Sequence, residues 1–305
     1  MNDVSTISRA QTSWFTADPE TFQANFERIG FAFPHRLADH PLFRIEHLIE
    51  LATSLSDDPS RVVYDAGDVR VDQRWDEVPL CDIPVAELIK QIETAGAWIL
   101  LKHADKRPGY GELLEECLRD VEALIGRSLH SEMKARKFIV FLNSPHRVTS
   151  YHIDHQASFL LQIQGTKTIS IFDRDDRDVL SERELENFWA RDANAARYRA
   201  DLQSRARTFE LRPGMGVHIP VNAPHWVQNG PDVSVSLNFN IDFHDRIRGD
   251  LYRANYWLRR LGLSPKPPFV SASSDRAKAT AFGVARVLCQ AAASLRSASR
   301  ARSGS

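Results

Sequence analysis

Nowhere does the chain carry the run of about 18 or more apolar residues that marks a membrane-spanning helix, so none is expected. Cysteine is scarce too: three in 305 residues, at positions 81, 117 and 289, far apart and odd in number. They supply neither a disulfide framework nor a thiolate zinc motif, and they fit a reducing compartment. The opening residues MNDVSTISRAQTSWF lack a basic stretch followed by an apolar one. No secretory signal is read there, and a cytoplasmic location is expected. An excess of one charge is also missing, because 39 Lys and Arg face 40 Asp and Glu for a net charge of −1. With no recognition motif and no basic stripe outside a short tail, nucleic acid and membrane surfaces are not expected partners. No internal repeat occurs. What remains is an ordinary globular composition, 43% hydrophobic and 26% charged, long enough for one large domain or one domain with helical additions.

Along the chain, residues 1–20 are polar and aperiodic and are expected to form a loosely held leader. Residues 21–133 read as mixed α and β. Apolar residues at helical spacing mark helices over 43–52, 84–92 and 110–125, with Pro84 suited to a first turn and Gly126 to a stop. Short apolar runs at 30–34, 61–64 and 98–101 read as strands. No chemistry attaches to this region.

From about residue 134 the texture becomes β-rich, with strands expected over 137–142, 148–153, 159–164, 168–172, 208–211, 216–220 and 233–241. Many short strands point to an antiparallel sandwich or barrel, the jelly roll included. A charged insertion over 173–207 interrupts them and reads as a solvated helix pair or a substrate-recognition lid. Residues 244–298 turn helical, with apolar faces at 247–261 and 281–295, and 299–305 read as a disordered basic tail. These two helices are expected to cover the barrel end or to form a homodimer interface. The overall expectation is a mainly β fold with α additions.

The stretch VTSYHIDHQASFLLQIQGTKTISIF, from Val148 to Phe172, carries the chemistry. His152 and Asp154 stand two apart, which on a strand places both on one face. A second histidine, His225, follows a Pro-Gly turn, a strand and a proline-bounded loop that return the chain beside the first strand. Two histidines and a carboxylate on one side of a metal leave three positions open, an arrangement suited to non-haem Fe(II) that binds a bidentate co-substrate and O₂. A structural zinc site would instead be closed by four ligands. A lone H-x-D is also compatible with a turn pair or a satisfied buried hydrogen bond, so the supporting residues matter. Lys167 opens the strand after the H-x-D segment, and a lysine pointing into a barrel needs an anion such as a bound carboxylate. Asn238, between Leu237 and Phe239, is an inward amide that needs partners.

In this set the sequence resembles the JmjC-type, cupin-like oxygenases, closest in pattern to the asparaginyl hydroxylases that act on hypoxia-inducible factor. The matching residues are Val148-Thr149, His152, Asp154, Gln156, Phe159, Gln162-Ile163, Gly165 and Lys167, followed by Pro213-Gly214, Pro224-His225-Trp226 and Asn238-Phe239. The resemblance covers roughly residues 135–243. It implies a double-stranded β-helix (cupin jelly roll) that uses Fe(II), 2-oxoglutarate and O₂ and releases succinate and CO₂, with hydroxylation expected over demethylation. It implies that His152, Asp154 and His225 ligate iron, that Lys167 and Thr149 hold the distal carboxylate of 2-oxoglutarate, and that Asn238 lines the pocket. Ser158 departs from the pattern, standing where those hydroxylases carry an asparagine. The prime substrate, whether protein, peptide or small molecule, is not indicated. A non-catalytic cupin-like binding or regulatory module is the alternative. Of the other polar and aromatic residues, His146 and His155 are not expected to ligate. His218 is expected to pack or hydrogen-bond, and Trp226 to pack beside the site or line the substrate.

Overall fold

The computed structural model describes residues 13–77, 81–244 and 246–284. Among the described residues eleven strands run β1 Phe31–Pro34, β2 Val62–Ala66, β3 Ala97–Lys102, β4 Met133–Asn143, β5 Val148–His152, β6 Ala157–Gln164, β7 Lys167–Ile171, β8 Arg207–Leu211, β9 Met215–Ile219, β10 His225–Asn229 and β11 Ser234–Phe243. The helices are α1 Pro19–Asn25, α2 Ile45–Leu55, α3 Val85–Lys90, α4 Tyr110–Ile125, α5 Glu182–Trp189 and α6 Arg246–Arg260. Every pairing is antiparallel. One sheet has the order β1-β9-β6-β11-β4-β3-β2 and the other β5-β10-β7-β8. Strands β4 to β11 pass between the two sheets in jelly-roll fashion. The larger sheet is widened by β1 on one edge and by β3 and β2 on the other.

The alternation along the larger sheet runs opposite to that of an ordinary half-exposed sheet. In β11, Val235, Leu237, Phe239 and Ile241 point away from the barrel, into the apolar cluster that α1, α2 and α4 cover. Ser236, Asn238 and Asn240, one residue out of phase, therefore point into the barrel, because successive strand side chains face opposite ways. Phe138 and Phe159 join the jacket side and are fully buried, each contributing on the order of 2–3 kcal/mol through apolar burial. The helical jacket takes the apolar face, and the polar face is left to line a cavity.

Local signals seat these elements. Asp18 caps α1 by accepting from the backbone N–H groups of Glu20 and Thr21, and α4 ends at Gly126 with φ 72°. Gly165, with φ 68°, makes the turn from β6 into β7, where a side chain would collide with the Val233 carbonyl oxygen. That turn delivers Lys167 to the first position of β7.

Four expectations need correction. Strand β5 stops at His152, so Asp154 lies in the following loop rather than on the strand face. His225, read as the end of a loop, instead opens strand β10, which lies between β5 and β7 in the smaller sheet. The insertion is not a solvated helix pair: it holds one α-helix, α5, and a 3₁₀ turn, Ala200–Arg205. Its Leu185, Phe188 and Trp189 are buried in a cluster shared with Tyr151, Phe172 and Tyr252. Of the leader, residues 13–20 are held: Phe15 is buried, and the Trp14 and Phe15 amides both donate to Asp120. A last helix is described over 272–284. Cys289 and the remainder of the face expected over 281–295 lie outside the described residues.

Candidate active site

His152, at the end of β5, and His225, at the start of β10, are cross-strand partners. Their ring centroids are 4.1 Å apart. Asp154 reaches back from the loop, with its Oδ2 3.8 Å from His152 Nε2 and 3.9 Å from His225 Nε2. One ligand atom from each residue lies within 4.8 Å of the others, the sole such His/Cys/Asp/Glu group among the described residues. Each ring is oriented from its other nitrogen. His152 Nδ1 is 2.8 Å from the Ser150 carbonyl and His225 Nδ1 is 2.9 Å from that of Ala223. Donation to a carbonyl puts the proton on Nδ1 and leaves the Nε2 lone pair facing Asp154, the tautomer a metal requires. Burial, then the adjacent His152, pushes His225 down to about 4, so the ring is held neutral.

Asp154 owes its place to a residue the sequence did not single out. Asn222 adopts φ 63°, a left-handed conformation asparagine tolerates. Its backbone N–H and its Nδ2 donate to the Asp154 carbonyl at 2.9 and 2.8 Å. Its Oδ1 accepts from Trp189 Nε1 at the end of α5, at 3.1 Å. One buried amide thus ties the Asp154 loop, the loop before His225 and the insertion together.

The three side chains stand at one part of a cavity of about 720 Å³ between the two sheets. Thr149, Lys167 and Asn238 line the same cavity, so all six residues singled out from the sequence meet there. Thr149 pairs with Val227 on β10, which pairs on its other side with Ile169, and Lys167 follows one step along β7 opposite Asn229. Four residues of β10 separate the His225 level from the Lys167 level, a span of about 13 Å. Lys167 is 3% exposed and has no hydrogen-bond or ion-pair partner among the described residues. Burial alone pushes its ammonium down to about 7. Asn238 donates to Asn240 Oδ1 at 2.7 Å, and its own Oδ1 is buried without a partner. Ser158 donates to the same Asn240 oxygen at 2.8 Å, and Asn240 Nδ2 donates to Gln156 at 3.1 Å. A polar ladder across β6 and β11 therefore stands on the wall beside the triad.

The N-terminal region, which carried no readable motif, extends the wall of the larger sheet through β3 and β2. Tyr64, Asp65, Trp75, Trp98 and Lys102 all line the cavity. Trp75 stands edge-on to His152 at 5.1 Å, and Asp65 forms a buried pair with Arg147. The only available signal was alternation: Trp98, Leu100 and Lys102 share one face of β3. Of the remaining histidines, His155 is exposed and stacks on Phe188 at 3.9 Å. His146 is exposed in a turn, and His218 is buried on the jacket side against Phe26 and Phe159. Trp226 faces away from the cavity and donates to Gln203 of the insertion at 3.0 Å.

No protein-family model matches this chain, and no curated protein matches it in sequence. Among solved structures, the X-ray structure of E. coli ycfD matches with a TM-score of 0.51 at 12% identity, covering 90% of this chain and 69% of that one. Two further structures are of the same E. coli protein, described as a ribosomal oxygenase. One is in complex with cobalt and succinic acid. They match with TM-scores of 0.48 and 0.49, at 12% and 13% identity, covering 90% of this chain and 67% and 68% of theirs. Identities this low speak to architecture alone. Strand order and the first of these matches together establish that the chain is built on the cupin-like double-stranded β-helix.

Proposed function

We propose that this protein is an Fe(II)- and 2-oxoglutarate-dependent oxygenase that hydroxylates a protein, peptide or small-molecule substrate and releases succinate and CO₂. The observation that carries the reading is a pairing within one cavity. Two histidine Nε2 atoms and a carboxylate converge beside it, and a buried lysine without a partner among the described residues lines it. An unpaired ammonium in such a place is costly, and a carboxylate brought by a ligand removes the cost.

The donor set fits the metal: two imidazoles and one carboxylate from one side suit non-haem iron and leave positions for a chelating co-substrate and O₂. His152, Asp154 and His225 would hold it. When bound, iron with 2-oxoglutarate supplies the oxidising equivalent, one atom of O₂ entering succinate and the other the substrate C–H bond. The chain's own residues bind, orient and exclude water. Lys167 and the Thr149 hydroxyl would receive the distal carboxylate. Asn238 would offer its free Oδ1 and its Nδ2 along the ligand's flank. Leu160, Ile169, Ile219 and Val227, which line the cavity, form a dry wall that strengthens the Lys167 contact. The carbonyls of Ser150 and Ala223 keep both imidazoles in the ligating tautomer.

The test is anaerobic addition of Fe(II) and 2-oxoglutarate to the whole chain, followed by O₂. A metal-to-ligand charge-transfer absorption and then succinate are expected from the wild type. Both should be absent in His152→Ala and Asp154→Ala. Undiminished succinate formation in those variants would sink the proposal.

A further inference from the structure

The mouth of the cavity carries positive charge that the protein itself does not neutralise. Lys102, on β3, pairs in register with Ile139 on β4, and both line the cavity. Lys137 lies two residues before Ile139, opposite Asn240, and so on the same inner face of the sheet. The two lysines flank one isoleucine on adjacent strands. They sit close enough that Lys137, after burial itself, holds the Lys102 ammonium below its ordinary range. Both are half-buried, and neither has an ion-pair or hydrogen-bond partner among the described residues. A third cation, Arg191, is also without one. It follows α5 with φ 85° and lines both this cavity and the adjoining surface groove of about 1000 Å³.

The nearby carboxylates are committed elsewhere. Asp242 is paired with Lys134 at 3.1 Å, Asp65 with Arg147, and Asp154 faces the two histidines. Two like charges held together on a half-buried sheet face repel each other and lose hydration. Beside them the wall is apolar and aromatic: Trp75, Trp98, Leu100, Ile139 and Phe141. A ligand that complements this surface has an anionic group and an apolar body, the first meeting the lysine pair and the second the aromatic wall.

We propose that Lys102 and Lys137, with Arg191 on the facing lip, form the recognition site for an anionic group of the prime substrate. That group is a carboxylate or a phosphate carried on an apolar or aromatic body. The proposal rests on the oxygenase reading in that it assigns 2-oxoglutarate to Lys167 and leaves the mouth to the substrate. A bidentate guanidinium and two ammonium groups give charge-assisted hydrogen bonds that desolvation strengthens. The substrate C–H bond would then lie between this anchor and the His152–Asp154–His225 group.

Binding by defined probes tests it on the full chain under anaerobic Fe(II) and saturating 2-oxoglutarate. The probes are 3-phenylpropionate, phenyl phosphate and the neutral 3-phenylpropionamide. Trp75 and Trp98 in the wall provide a fluorescence readout. The wild type is expected to bind at least one anion about tenfold or more tighter than the amide. The better of the two anions identifies the group. In the double variant Lys102→Gln, Lys137→Gln that preference should disappear while the amide binds as before. In Lys167→Gln, titrated without 2-oxoglutarate, it should persist. Equal binding of all three probes by the wild type overturns the proposal. So does a preference that survives in the double variant or vanishes in Lys167→Gln. The charge-transfer absorption, recorded in the same samples, separates the two readings. Its absence from the wild type defeats the oxygenase reading, whereas its persistence in the double variant shows that the lysine pair serves a ligand other than 2-oxoglutarate.

Discussion

Lys167 was legible as a residue with a purpose because its position, immediately after a glycine turn and at the head of a strand, forces it inward. Burial brings its ammonium from the ordinary 10.5 down to about 7, and this sets a sign for pH dependence. Between pH 7 and 10.5 the unfolded chain holds a proton on this lysine that the folded, ligand-free chain does not. Stability therefore rises with pH across that window, and the full penalty is present below pH 7. Lys167→Met should stabilise the ligand-free protein at pH 6 by an amount on the order of a few kcal/mol, read as a higher melting temperature. The gain should shrink towards zero near pH 10.5. A variant no more stable than the wild type at pH 6 would contradict the burial argument. Carboxylate binding restores the charged form, so 2-oxoglutarate should take up close to one proton at pH 8. Calorimetry in two buffers of different ionisation enthalpy measures it, and Lys167→Met should show no uptake. Asn240 and Ser158 were harder to read. In β11 the alternation Ser, Leu, Asn, Phe, Asn has the look of a solvent-facing polar stripe. Only the helical jacket over the apolar side reveals that the polar side is the interior.

Among the elements, most strands and helices could be located from periodicity, and α4 spans the same residues, Tyr110–Ile125, that its apolar face marks. Strand β10 escaped because Pro224 and Trp226 flank a histidine in a segment without alternation, although it lies between β5 and β7. Its pairing is what brings His225 to His152, so the missed strand positions the third member of the site. The Asp154 loop escaped in the opposite way, since period-two spacing suggested a strand that ends two residues early. The missing rigidity comes from Asn222. Asn222→Gly keeps the left-handed backbone accessible and removes only the side chain, and Asn222→Asp keeps an acceptor for Trp189 while removing the donor to Asp154. Both should weaken Co(II) binding by about 10- to 100-fold, read from the metal's visible absorption. Asn222→Ala should add a further loss of thermal stability because φ 63° strains alanine. Co(II) affinity equal to wild type in both Asn222→Gly and Asn222→Asp would show the tie to be structural only.

For the whole molecule, the barrel is insulated on one side by α1, α2 and α4 and capped on another by the insertion, which α6 in turn holds. Arg259 of α6 pairs with the buried Glu186 of α5 at 2.6 Å. Arg253 lies over the Trp189 ring at 5.4 Å and donates to the Trp189 carbonyl. One face of α6 is thereby committed inward. The rest of the C-terminal region exposes large apolar side chains: Trp257 and Leu261, one turn apart, are 55% and 76% exposed, and Phe269 and Val270 are 57% and 69% exposed. Large apolar side chains left so exposed over one short segment are uncommon on a monomer. The net charge of −1 sets up little repulsion between two copies. A second copy of this chain is the expected occupant, meeting the first through the C-terminal helices. Sedimentation of the wild type at micromolar concentration should give a dimer, and Trp257→Glu with Leu261→Glu should give a monomer. That monomer should keep its Co(II) affinity. A monomeric wild type, or a dimer indifferent to both substitutions, would place the interface elsewhere. A monomer that also loses Co(II) would mean that dimerisation supports the Trp189–Asn222–Asp154 connection, and so the candidate metal centre itself.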